Sequence, residues 1–176
     1  MTQQLALTLL SPPDDLLLQV SQKWVKRHLY LASLEQAAKL TYPLFVKSLV
    51  PKQFQAQVYF DEAELLAECK GLEPNTQLLV SEVVNFTAEA RAFVLENSVK
   101  TCAIYEGVGD VNEAAQFVLA FAQENPLPKT CVIDVGCLEN RNWALVEANA
   151  TWGAGLNGCD PLAVATCTSQ ATTFSD

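Results

Sequence analysis

The segment CVIDVGCLENRNWALVEANATWGAG, residues 131 to 155, sets one carboxylate in each of two apolar runs: Asp134 in VIDV and Glu147 in ALVEANA. Leu138 and Trp143 flank the polar centre, so Glu139, Asn140, Arg141 and Asn142 read as the four-residue loop of a β-hairpin. Opposed residues of an antiparallel ladder keep a constant index sum, and 138 with 143 sets the same sum as 134 with 147. Asp134 and Glu147 are therefore expected face to face. Opposed Cβ atoms lie about 4.5–5.5 Å apart, and two like charges at that distance destabilise a sheet. Something must offset the repulsion. Asn149 follows Glu147 by two and points to the same face, while Ile133, Val135, Val146 and Ala148 point to the other. Three hard oxygen donors on one face suit Mg2+, which takes one or two carboxylates, waters and, commonly, substrate phosphates. A hairpin standing alone would more often carry such acids on a solvated outer face, and a one-residue slip would separate them.

Other residues shift that balance. Lys47 ends the apolar run LFVK, Glu82 interrupts LLVSEVV, and Glu89 and Arg91 share one face of a strand whose other face is Ala88, Ala90 and Ala92. Singly each has an ordinary reading: a lone strand lysine runs its stem along the sheet to reach water, and Glu89 and Arg91 can pair with each other. Together, a strand lysine, a strand-end glutamate, an acid and arginine on the next strand and an acid-acid-amide hairpin describe a nucleotide and metal site.

The elements that position these residues follow from periodicity and caps. Ser33 with Gln36 forms a capping box before the short helix SLEQAAKL, and Tyr42 to Val46 reads as a strand ending in Lys47. QAQVYF is a second strand, Asp61 caps EAELLAECK, Gly71 stops it, and QLLVSEVV closes this unit. FTAEARAFVLE and VKTCAIYEG form a hairpin turning at Asn97 and Ser98. Asp110 or Asn112 caps a long helix with Val111, Ala114, Ala115, Val118, Leu119 and Phe121 at core spacing. The tail SQATTFSD is small and polar and is expected to fray.

Composition narrows the class. At 176 residues and 50% hydrophobic content, the chain can bury a core as one domain or two small lobes. A formal net charge of -9 argues against nucleic acid and anionic membranes as partners. No run approaches a membrane span, and the start lacks the basic residues of a signal peptide, so a cytoplasmic setting is expected. The six cysteines contain no C-x-x-C pair and the single His28 is near none of them, which argues against zinc and for thiols used as small apolar residues.

In their order, the basic segment VKR, the strand FVK, LVSEVV, EARAFVL, VIDVG and VEANATWGAG resemble the motifs of the ATP-grasp ligases, from about Lys23 to Pro161. EARAFVL is similar to the D-x-R-x-F-V strand of ligases that add glutamate to a ribosomal protein. The ending VEANATWGAGLNGCDP is similar to a bacterial ATP-grasp ligase group in which tryptophan and glycines follow the asparagine. The resemblance implies an α+β, ATP-grasp-like fold of two α+β lobes: 1–22 as a remnant of the N-terminal region or a linker, 23–84 as the smaller lobe, and 85–176 as the larger lobe with an antiparallel sheet and the metal hairpin. It implies that Lys47 and Lys26 hold the α- and β-phosphates of ATP, that Glu82 and the Val84 backbone meet the adenine edge, and that Glu89 binds ribose. Arg91, the catalytic residue, would neutralise charge on the transferred phosphoryl group, and Asp134, Glu147 and Asn149 would hold Mg2+. The family reaction phosphorylates a carboxylate and lets an amine displace the phosphate.

Three departures accompany it. Only about 22 residues precede the basic segment, where such proteins usually carry a further α/β domain, so a protein partner or a second copy of the chain is expected to complete the acceptor site. Thr151 and Trp152 stand where many members have an arginine, and the loop SLVPKQF has no glycine, with Lys52 as its cation. The alternative reading is a truncated, non-catalytic nucleotide-binding or structural pseudoenzyme.

Overall fold

Alternating burial along LFVKS and along FTAEAR marks two of the strands that carry candidate residues. The computed structural model describes residues 7–140 and 142–174. In chain order the elements are β1 (Leu7–Leu9), α1 (Leu16–Gln19), α2 (Gln22–Val25), β2 (Leu29–Ser33), a 3-10 turn (Leu34–Lys39), β3 (Leu44–Ser48), β4 (Gln57–Tyr59), α3 (Glu62–Glu68), β5 (Gln77–Ser81), β6 (Phe86–Leu95), β7 (Ser98–Gly107), α4 (Val111–Glu124), β8 (Thr130–Leu138), β9 (Trp143–Asn149), a second 3-10 turn (Thr151–Gly153), α5 (Pro161–Thr168) and β10 (Thr172–Phe174). The fold class is α+β. The chain divides into two compact units: Asp14–Val84, and the segments on either side of it.

The smaller unit is built on an antiparallel sheet of order β2-β5-β3-β4. Ala32, Leu44, Val46, Tyr59, Leu78 and Val80 form the core with Leu65 of α3 and Ala37 of the first 3-10 turn. The ends of the small helices are chemically specified. The Glu64 N–H donates to Asp61 Oδ1 at 2.9 Å at the start of α3, and the Ser33 N–H donates to Gln36 Oε1 at 2.9 Å at the start of the 3-10 turn.

The larger unit carries an antiparallel sheet of order β7-β6-β8-β9. Its central strand β8 is buried from Thr130 to Cys137, because helices pack on both faces. Ala114, Val118, Phe121 and Ala122 form the buried stripe of α4, whereas Val111 and Leu119 turn outward and leave the apolar stripe narrower than their spacing predicts. Val164 and Cys167 of α5 cover Phe93, Leu95 and Val132 on the opposite face. That second face is therefore not wholly polar, as the alternation in the hairpin predicts. Its apolar part lies under α5, and its polar part continues along the same strands through Arg91 and Asp134.

Local chemistry sets the turns. Glu96 and Asn97, at φ 52° and 56°, form a two-residue loop with Leu95 opposite Ser98, so the turn sits one residue earlier than the sequence predicts. At Gly136 a Cβ would meet the Phe86 ring at 2.3–2.7 Å, which accounts for the glycine in VIDVG. The expected fraying of the tail does not extend to Thr172–Phe174, which pairs antiparallel with Leu7–Leu9. The Leu10 N–H donates to the Ala171 carbonyl at 2.8 Å. Met1–Ala6, Ser175 and Asp176 lie outside the described residues. All six cysteines are free thiols, five of them buried. Among the described residues no helix is long and apolar enough to cross a membrane.

Candidate functional site

The β8–β9 register opposes Asp134 to Glu147, Ile133 to Ala148 and Val132 to Asn149. Nearer the loop the register differs by one: Cys137, not Leu138, faces Trp143, and the Leu138 N–H donates to the Asn142 carbonyl at 2.9 Å. The loop is thus shorter than the four residues expected, and its Arg141 lies outside the described residues. A β-bulge between Asp134 and Val135 restores the offset by inserting Val146 as an extra residue on β9. Leu145 consequently lies opposite Val135, while Glu147 lies opposite Asp134. Two local departures from the simple hairpin cancel, and the carboxylates meet.

Asp134 is 1% exposed and sits beside Arg91 of β6, its partner in the ladder. Arg91 Nε donates to Asp134 Oδ1 at 2.8 Å and Nη2 to Oδ2 at 2.6 Å, a bidentate fork. Nη1 donates to the Gly155 carbonyl at 3.0 Å, which ties the fork to the loop after β9. On the neighbouring strand Asn149 Nδ2 donates to Glu147 Oε1 at 2.7 Å. Glu89 does not pair with Arg91. It accepts a hydrogen bond from the Tyr105 hydroxyl at 2.5 Å, and the Arg91 guanidinium carbon lies 5.9 Å from the centre of the Tyr105 ring. Tyr105 reaches this face through a second bulge, since Glu89 opposes Glu106 but Ala90 opposes Ile104. Glu89, Arg91, Asp134, Glu147 and Asn149 thus form one connected polar surface.

Burial pushes the Asp134 carboxyl up to about 6, outweighing the lowering by the Arg91 fork, with the charge of Glu147 adding to the rise. Arg91 is raised by its hydrogen bonds to Asp134. Burial, with the bond to Glu89 second, raises the Tyr105 hydroxyl. A carboxyl with a native pKa above its unfolded value holds more protons folded than unfolded. Its contribution to stability therefore declines as pH rises from about 4 through 6 and is constant above that. A side-chain carboxyl NMR titration should place one aspartate inflection near 6; an Asp134 signal titrating near 4 would contradict the assignment.

The four remaining candidates lie in the smaller unit. Lys26 caps α2 in the left-handed conformation at φ 51° and is half-buried. Lys47 is half-buried on β3 opposite Leu79, on the sheet face turned away from Leu44 and Val46. Glu82 is exposed just past β5, and Val84 is half-buried two residues on. Sequence reasoning misses Arg27 and Ser81, both buried and joined by a 3.2 Å hydrogen bond from Arg27 Nε to Ser81 Oγ. It also misses Tyr105, whose inward turn depends on a bulge. A basic pair at 26 and 27 ahead of a strand is the available signal for Arg27. Thr151 is 2% exposed with its hydroxyl unpartnered, and Trp152 is exposed with its indole N–H donating to the Leu10 carbonyl at 2.9 Å.

Among the described residues no cluster of three or more His, Cys, Asp or Glu side chains is arranged to hold a metal. Two carboxylates and an amide on one face nevertheless form a donor set that fits Mg2+, which needs few protein ligands and keeps waters or phosphates in its other positions. Asp134 would share its oxygens with the Arg91 fork.

A family model described as an ATP-grasp domain, family 2 of its clade, matches residues 24–167. No curated protein matches the sequence. Among solved structures, the chain is similar to a RimK domain protein ATP-grasp from Sphaerobacter thermophilus, with TM-score 0.62 and 17% identity over 89% of this chain and 62% of that one. It is also similar to the D-alanine-D-alanine ligase from Coxiella burnetii, at 0.55 and 14% over 78% and 46%. The D-alanine–D-alanine ligase from Bacillus anthracis complexed with ATP matches at 0.51 and 11% over 73% and 49%. At these identities the likeness shows the fold, which is that of ATP-grasp proteins. The chain spans 46% to 62% of the length of these three structures.

Proposed function

We propose, from the premise that the chain belongs to the ATP-grasp domain family whose model it matches, that it binds ATP with Mg2+ and joins a carboxylate to an amine through an acylphosphate. The observation that carries this reading is the polar surface on which Asp134 and Glu147 oppose each other beside Asn149 and the Arg91 fork. ATP supplies the phosphoryl group, and Mg2+ offsets the charge on its phosphates.

Each residue then has a task. Lys47 and Lys26 hold the α- and β-phosphates as point charges. Glu82 and the Val84 backbone read the adenine edge, and Glu89 takes the ribose hydroxyls. Asp134, Glu147 and Asn149 are the magnesium ligands. Arg91, anchored on Asp134, presents positive charge to the phosphoryl group as it passes to a carboxylate oxygen and ADP departs; the amine then displaces inorganic phosphate to give an amide. The carboxylate and the amine are unidentified. The six free thiols support a reducing, cytoplasmic setting.

Isothermal titration with ATP and Mg2+ tests the reading: saturable heat is expected, and its absence overturns the proposal. One observation favours a second reading, nucleotide binding without turnover, because Arg91 engages both oxygens of Asp134. ADP release on addition of carboxylate and amine mixtures separates the two.

A further inference from the structure

Arg27 is 7% exposed, and the carboxylate of exposed Glu82 acts on its charge. Its guanidinium donates through Nη1 to the Val25 carbonyl at 2.9 Å and through Nε to Ser81 Oγ at 3.2 Å. Ser81, 1% exposed at the end of β5, passes the polarity on: its hydroxyl donates to the Glu82 carbonyl at 2.8 Å. The Glu82 N–H donates to the His28 carbonyl at 3.2 Å. Both backbone polar groups of Glu82 are thereby held, one through Ser81 and one by the residue next to Arg27, while the Glu82 side chain stays exposed. Burial lowers Arg27 to about 10, which leaves it charged at neutral pH. Keeping a buried cation there costs desolvation, so its bonds must serve the geometry of what they hold. An arginine suits this task because its rigid fork reaches two acceptors at once; a lysine is a point charge on a flexible stem.

We infer that Arg27 is a positioning residue which, through Ser81, sets the backbone path of Glu82–Val84 and thereby the selectivity of this chain for a 6-amino over a 6-oxo purine nucleotide. The inference rests on the assignment of that segment to the base of ATP. Its consequence is a separation of base recognition from phosphate binding at Lys47, which lies on another strand of the same unit; Ser81→Ala reads it most directly, since Arg27 adjoins Lys26 and holds the Val25 carbonyl.

The test uses the full chain and compares the affinities of Mg2+-ATP, Mg2+-GTP and Mg2+-tripolyphosphate, the last having no base. In Ser81→Ala and in Arg27→Lys the ATP-to-GTP affinity ratio should fall about tenfold, the factor one lost hydrogen bond of ordinary net strength gives. Tripolyphosphate affinity should stay within about twofold, since its contacts are charge contacts at other residues. If Ser81→Ala does not fold, the milder Arg27→Lys carries the comparison. A wild-type ATP-to-GTP ratio in a folded variant overturns the inference and leaves ATP binding standing. A parallel loss of ATP and tripolyphosphate affinity overturns it in favour of a structural role. Absence of ATP binding in the wild type overturns the functional proposal itself and is read before any variant is made.

Discussion

Arg91→Met should destabilise the protein by about 3–5 kcal/mol, seen as a drop in the urea midpoint at constant slope. The side chains of Arg91 and Asp134 are 12% and 2% exposed, and the fork gives the carboxylate two charge-assisted hydrogen bonds. Without the guanidinium, Asp134 is a buried anion facing the carboxylate of Glu147. Neither the apolar surroundings nor the neighbouring acid can stabilise it. Protonation is its remaining relief, so the penalty should shrink at pH 5, below the already raised titration of Asp134. A double variant, Arg91→Met with Asp134→Leu, should recover much of the loss, because removing both partners of a buried pair costs far less than removing one. Arg91→Lys should not rescue, as an ammonium cannot reproduce two parallel donors. An Arg91→Met variant as stable as wild type at pH 7 would show that the fork contributes little to the fold.

Glu147→Gln should reduce Mg2+-dependent ATP affinity by about ten- to a hundredfold while leaving apo stability unchanged or slightly higher. The amide retains the oxygen that accepts from Asn149 and removes the negative charge opposite Asp134. Since that charge contributes to the raised pKa of Asp134, the aspartate inflection should also move down in this variant. Titrations with and without chelator read the metal dependence, and denaturation reads the fold. Equal nucleotide affinity in variant and wild type would remove Glu147 from the site. A fall in affinity matched by a fall in stability would assign it a structural role only.

The parts legible in the sequence are those that local chemistry dictates. Asp61 and Asp110 accept N–H bonds at the starts of α3 and α4, where an acidic residue ahead of an apolar run predicts a cap. The alternation around Glu89 and Arg91 announces β6, and the spacing of Asp134, Glu147 and Asn149 announces a shared face. What was not legible depends on insertion or on distance along the chain. Val146 and Tyr105 are bulge residues, and nothing in ALVEANA or CAIYEG distinguishes an inserted position from a regular one. The pairing of Leu7–Leu9 with Thr172–Phe174 joins opposite ends of the sequence, where polar composition alone predicts fraying. Of the adjacent bases Lys26 and Arg27, the left-handed turn at Lys26 decides which is buried, and a dihedral angle is not a property of composition.

The Val146 bulge makes the carboxylate pair a matter of parity. Paired without a bulge, Val146 would oppose Asp134, and Glu147 and Asn149 would turn to the α4 side; the extra residue absorbs that step, and its deletion would leave Leu145 opposite Val135 and Glu147 opposite Asp134 in an unbroken ladder. Counting the residues between the acids therefore misjudges which way they look, because one of those residues stands outside the ladder.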